Sequence, residues 1–172
     1  MDQINKVKSI SIWIFIVPFA AVNICLILIT QFHELFPHQE QIIHNTIPYL
    51  DGGASISRTA RPYPSWLVFK PAMFLTSFLL IKYWLYNKQI IEFFNKDHKD
   101  LKKVIYFGIA SAIALTIHSI FLGIKFDNDF YKLFRRVIIF MFIIFEVVAQ
   151  AYLVTILYSF KEKISKYINA KY

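Results

Sequence analysis

The sequence predicts an all-α membrane protein: a four-transmembrane-helix bundle with a long structured outer loop between helices 1 and 2. Three observations carry that prediction. The 172-residue chain is 57% hydrophobic and 18% aromatic, with a mean hydropathy of +0.49, whereas soluble domains hold about 45–50% apolar residues. A domain of this size leaves roughly 30% of its unfolded surface exposed, so the apolar excess calls for lipid as solvent. Second, four stretches reach the ~20 largely apolar residues that a helix needs to cross a bilayer. Third, the basic residues behind the formal charge of +8 lie at the ends of those stretches, not along one polar face. That distribution marks a membrane protein and gives no reason to expect a nucleic-acid partner. Residues 1–172 read as a single integral membrane domain.

The first span, about residues 9–31, reads SISIWIFIVPFAAVNICLILITQ. Its apolar run is too long for a signal peptide and no small-x-small cleavage site follows, so it is expected to be retained. Pro18 predicts a kink. Cys25 is the single cysteine, which rules out an intramolecular disulfide. It reads as a small apolar residue facing lipid or a helix.

The outer loop, residues 32–64, is the longest connection. Asp51-Gly52-Gly53 is a tight-turn signal, because glycine takes positive φ without strain. Pro62 and Pro64 are expected to hold the chain extended up to Ser65, read as a helix cap. Ile42, Ile43, Ile47, Tyr49, Leu50 and Tyr63 are apolar anchors expected to fold the loop back onto the bundle. His33, Glu34, His38 and His44 are metal-type side chains at a spacing that matches no firm motif, and neither a metal nor another cofactor is expected.

The second span, about 65–86, carries Lys70-Pro71. The sequence QIIEFFNKDHKDLKK that follows (89–103) reads as an amphipathic inner loop at the membrane surface. The third span, about 104–124, contains the small-xxx-small pairs Gly108/Ala112 and Ala110/Ala114, which permit close helix approach. The fourth, about 137–160, begins after Arg135-Arg136, and the basic tail KEKISKYINAKY suits an anionic lipid surface.

Orientation follows from the basic residues at the span ends. Eleven lysines flank the sides of the spans that face the termini and the inner loop, against seven Lys or Arg on the opposite side. Both termini are therefore expected in the cytoplasm, with the 32–64 loop outside.

Polar groups at membrane depth need partners. Glu146 and Gln150 share one helical face near the midplane. At a rise of about 1.5 Å per residue, Asn23 and His118 lie about 5–6 Å outward of it and Lys70 about 8 Å. One bundle is expected to gather Asn23, His118, Glu146 and Gln150 into a single polar chamber open to the outside; helix-to-helix hydrogen bonding is the plainer reading of each. Above them, Asp51, Gly52, Gly53, Ser55, Ser57, Arg58, Arg61 and Lys70 form a candidate ligand-binding set. Arginine forks suit phosphate and a glycine turn can hold an anion in a backbone nest. No catalytic residue is assigned: no nucleophile stands out, and phosphate-loop, HExxH and GxSxG motifs are absent from the sequence.

Pro48-Tyr49-Leu50-Asp51, the glycine turn, the Ser/Arg segment, a Phe and a new span together resemble the first outer loop of the DRAM-like family. That group includes the FGF receptor activating protein and a GPI-anchor lipid-remodelling factor. The chain is also similar to bacterial membrane proteins with an S-I-S-x-x-x-R segment (here Ser55-Ile56-Ser57 with Arg58 or Arg61) and with an Arg pair ahead of Ala-Gln (Arg135-Arg136, Ala149-Gln150). The resemblance covers residues 47–80 and 120–155. It departs in having four spans where the family usually has five or six, and Tyr63-Pro64-Ser65 where a Pro-Glu is often seen. It implies a lipid-associated or trafficking role.

The leading expectation is a non-enzymatic protein that interacts with or senses membrane lipids at the outer leaflet. The alternative is an accessory or assembly subunit of a larger membrane complex, with a protein partner in the membrane or a homo-oligomer. A proton-coupled transporter relaying through Glu146 and His118 ranks third, since no inverted repeat is visible.

Overall fold

The computed structural model describes residues 2–37, 43, 49–50, 55–124 and 128–168. Four long helices dominate: α1 (Asp2–Gln31), α3 (Ser65–Phe94), α4 (Leu101–Phe121) and α5 (Asp129–Ser159). Each is long and apolar enough to cross a membrane. Two short helices accompany them, α2 (Ile56–Thr59) ahead of α3 and α6 (Lys161–Ile168) after α5. The all-α bundle with four spans is thus what the chain forms.

The helices outrun the apolar runs. α1 starts at Asp2, α3 continues to Phe94, and α5 begins at Asp129, two turns before Val137. Hydropathy registers only the lipid-immersed centre, whereas the backbone keeps its helical hydrogen bonds into the headgroup region because unpaired peptide groups are costly there. At about 1.5 Å per residue these helices reach roughly 45 Å, beyond the ~30 Å hydrocarbon core. Most of the expected inner loop is therefore helix, the end of α3 and the start of α4, leaving only residues 95–100 as the connection. α4 instead stops short of residue 124, because Gly123 turns the chain at φ +87°.

Ser65 is not a cap. Trp66 N–H donates to the Pro62 carbonyl (3.1 Å) and Leu67 N–H to that of Pro64 (2.9 Å). Proline carbonyls thus start α3 and Ser65 becomes its first, fully buried residue. Its carbonyl accepts from Cys25 Sγ at 3.3 Å, which seats Cys25 in the contact between α1 and α3. Of the loop anchors, Ile43 packs with Phe36 against Ile29. Tyr49, Leu50 and Tyr63 are exposed, although the Tyr49 hydroxyl reaches Asn23 of α1. Ile42 and Ile47 lie outside the described residues.

α1 packs on α3, α3 on α4 and α4 on α5, while α1 and α5 are not packed along each other. Two cores result. One gathers Cys25, Phe69, Met73, Ala112 and Leu115 toward the Gln31 end of α1. The other gathers Trp84, Ile91, Val104, Ala149 and Leu153 toward the terminal-tail side. In the second, Gly108 lets the Trp84 indole lie directly on the α4 backbone: a Cβ there would sit 2.3 Å from Trp84 Cδ2. Outward faces stay apolar, as Phe15 and Phe140 show; in water such surface would be an aggregation liability, in lipid it is solvated.

Candidate functional site

Because α1 and α5 do not close on each other, a cavity of about 800 Å³ opens between them, backed by α3 and α4. Its floor is apolar: Val22 of α1, Phe69 and Met73 of α3, Leu115 of α4 and Phe142 of α5. Its mouth is basic: Arg61 from the segment before α3, His118 from α4, and Lys132, Arg135 and Arg136 from α5. From Lys132 to Phe142 the cavity runs about 15 Å along α5, half of a ~30 Å hydrocarbon core. Among the described residues lining it there is no Asp, Glu, Ser, Thr or Cys.

Local structure sets each mouth residue. Asn128 caps α5 by accepting from Phe130 N–H at 2.9 Å, so the helix already runs when it reaches the basic residues. Tyr131 donates its hydroxyl to the Phe121 carbonyl at 2.9 Å, tying α5 to the end of α4. One turn on, the Arg135 guanidinium lies 5.9 Å from the Tyr131 ring centre, a cation–π contact at i, i+4 spacing. Lys132 pairs outward with the exposed Asp129 at 2.9 Å. The α4–α5 turn passes close to the Arg61 backbone: a Cβ at Gly123, whose φ is +87°, would lie 3.3 Å from the Arg61 carbonyl oxygen, so glycine suits this position. Burial first, and Arg135 second, push the Arg61 pKa below the usual guanidinium value. The same low-dielectric proximity that disfavours two cations favours an anion between them. Arg135 Nε and His118 Nδ1, both shielded from solvent, have no hydrogen-bond partner among the described residues.

The residues anticipated from sequence distribute unevenly. Arg61 and His118 line the cavity. Lys70 does not: its Nζ donates to the Ile120 carbonyl at 3.3 Å and lies 5.5 Å from the Trp66 ring centre, so it covers the carbonyl end of α4. Ser55 caps α2, accepting from Arg58 N–H at 3.3 Å, and Arg58 is exposed. Asp51, Gly52 and Gly53, and the Ser57 side chain, lie outside the described residues.

The four intramembrane polar residues do not share one chamber. Asn23 accepts from the Tyr49 hydroxyl and donates to the Phe19 carbonyl at 2.7 Å. Ser111 donates to Glu146 Oε2 at 2.6 Å, and Gln150 Nε2 donates to Glu146 Oε1 at 2.9 Å. His118 stands apart from this trio, two turns along α4 from Ser111, about 10 Å. No hydrogen bond among the described residues joins His118 to Glu146, so a relay between them has no direct contact to run through. Axial position along a helix does not fix which way a side chain faces: helix rotation and neighbour choice, set by side-chain packing, sent them to three places.

Sequence reasoning passed over Arg135, Arg136, Tyr131 and Lys132 as site residues. The signal was YKLFRR at 131–136, whose i, i+4 aromatic–basic spacing is meaningful only once α5 is known to start at Asp129. Among the described residues no group of three or more His, Cys, Asp or Glu is placed to hold a metal; His38 and His44 fall outside them. No protein-family profile matches the chain, and no curated protein or solved structure matches it.

Proposed function

We propose that this multi-pass membrane protein is a non-enzymatic binder or sensor of lipid, receiving the anionic head of a single-leaflet amphiphile in the cavity between α1 and α5. The observation that carries the reading is the join of an apolar floor to a basic mouth in one space that is half a bilayer deep. That shape and polarity match a lipid of one leaflet: chains along Met73 and Phe142, head at Arg61 and Arg135. Ligand pockets commonly fall at about 300–1,000 Å³, and buried arginine is the residue best suited to hold phosphate. The lysine bias at the span ends supports a mouth at the outer leaflet with the termini in the cytoplasm. The lipid-associated role implied by the DRAM-like resemblance points the same way.

The test is the lipid content of the protein purified in mild detergent, read by native mass spectrometry. The wild type and Arg58→Ala, whose side chain is off the cavity, are expected to retain anionic lipid; Arg61→Ala with Arg135→Ala is expected to lose it. Unchanged lipid in the double variant refutes the reading. Membrane-impermeant labelling of a cysteine placed at Arg58 but not of one at Lys96, in intact cells, is expected from the orientation; the reverse pattern would place the mouth at the inner leaflet.

A second reading, an accessory subunit of a larger membrane complex, draws on α5. It is the least buried of the four spans and presents Phe140, Met141, Ile143 and Ile144 outward. A stoichiometric membrane partner in the same mild-detergent preparation, lost on polar substitution of those residues, would favour it.

A further inference from the structure

The chemistry of the mouth narrows the class of lipid head, an inference that rests on the cavity reading above. Arg61, Arg135 and Arg136 line the cavity from two separate segments of chain, and no carboxylate lines it among the described residues. A zwitterionic phosphodiester head brings its own cation into this ring, where like charges repel in a low dielectric. A phosphodiester with an uncharged head brings one negative charge and two terminal oxygens. A terminal phosphate monoester brings about −1.5 to −2 charges at neutral pH and three terminal oxygens. Two arginine forks can each take oxygens of such a group in bidentate fashion, and a third oxygen remains for the imidazole beneath. Arg135 and His118 both line the cavity, and Arg135 Nε and His118 Nδ1 have no hydrogen-bond partner among the described residues.

We propose that the cavity selects a lipid whose head is a terminal phosphate monoester, clamped between Arg61 and Arg135 with His118 below it. Arg135 determines the selectivity. Its guanidinium is fixed against Tyr131, which is itself tied to the end of α4, so its fork meets the phosphate in one orientation. Arg136, exposed beside it, supplies charge without that constraint.

The experiment uses the full chain in zwitterionic detergent, offered equimolar dioleoyl phosphatidate, phosphatidylglycerol and phosphatidylcholine, with retained lipid counted by native mass spectrometry. Phosphatidate is expected to be retained about tenfold over phosphatidylglycerol, the order that one charge-assisted hydrogen bond supplies, and phosphatidylcholine least. Arg135→Lys, which keeps charge and loses the fork, is expected to bring phosphatidate and phosphatidylglycerol close to parity while still exceeding phosphatidylcholine. Arg58→Ala is expected to leave all ratios unchanged. Equal retention of the two anionic lipids by the wild type overturns the headgroup inference and leaves the lipid-binding reading standing. Equal retention of all three overturns both. Inorganic phosphate displacing phosphatidate at equal concentration overturns the assignment to a lipid and points to a soluble phosphate ligand.

Discussion

Replacing Gly108 with alanine places a methyl carbon 2.3, 2.5 and 2.6 Å from Cδ2, Cγ and Cε2 of Trp84, where carbon atoms ordinarily rest about 3.5–4.0 Å apart. The indole must withdraw by roughly 1 Å or more, on that same contact distance. It has nowhere to go: Trp84 is 0% exposed and shares its core with Ile91, Val104, Ala149 and Leu153. Overpacking of this kind costs about 1–3 kcal/mol and occasionally more, and a rigid ring against a helix backbone belongs at the upper end. Alanine's better helix propensity returns at most about 1 kcal/mol. The expected net loss is roughly 2 kcal/mol, as the difference of those two effects. Reversible unfolding in mixed micelles of rising SDS content, followed by tryptophan fluorescence, measures it. Shrinking the indole should relieve the clash, so Trp84→Leu should cost less in the Gly108→Ala background than in the wild type, a coupling above about 0.5 kcal/mol. A Gly108→Ala protein that unfolds at the wild-type midpoint would refute the close approach of α3 and α4 on which the core around Trp84 is built.

Three further outcomes are expected. Glu146→Leu removes the acceptor of both Ser111 and Gln150 and should destabilise the bundle by about 1–2 kcal/mol in the same assay, whereas Glu146→Gln, which retains an acceptor, should lose less than about half of that. Cys25, fully buried with its thiol on the Ser65 carbonyl, should resist maleimide in the folded protein and react on unfolding in SDS; rapid labelling of the folded protein would argue against the α1–α3 contact. Gly123→Ala strains a φ of +87° and crowds the Arg61 carbonyl, so it should cost about 1 kcal/mol or more and also lower retention of anionic lipid, a paired effect that a purely local turn defect would not give.

The bundle was readable because membrane insertion is a local test applied span by span. Twenty apolar residues around Leu26 or Ile113 qualify whatever their neighbours do. The small residue at Gly108 was equally readable as a point of close approach, since its spacing to Ala112 is a property of one helix. Pro62 and Pro64 were expected to hold the chain extended up to Ser65; Pro64 instead takes helical dihedrals (φ −93°, ψ 0°), and the proline carbonyls start α3 and bury Ser65 where α1 stands alongside.

What the sequence alone determined, then, is the number of spans, which follows from hydropathy along a single chain segment. Only the tertiary structure decided which helices are neighbours. The order α1–α3–α4–α5 leaves the first and last spans apart, brings Arg61 beside Arg135, and separates His118 from Glu146. The physical reason is that pairing in lipid depends on shape: Trp84 fits only where Gly108 makes room, and no local signal says which face of one helix will meet which face of another.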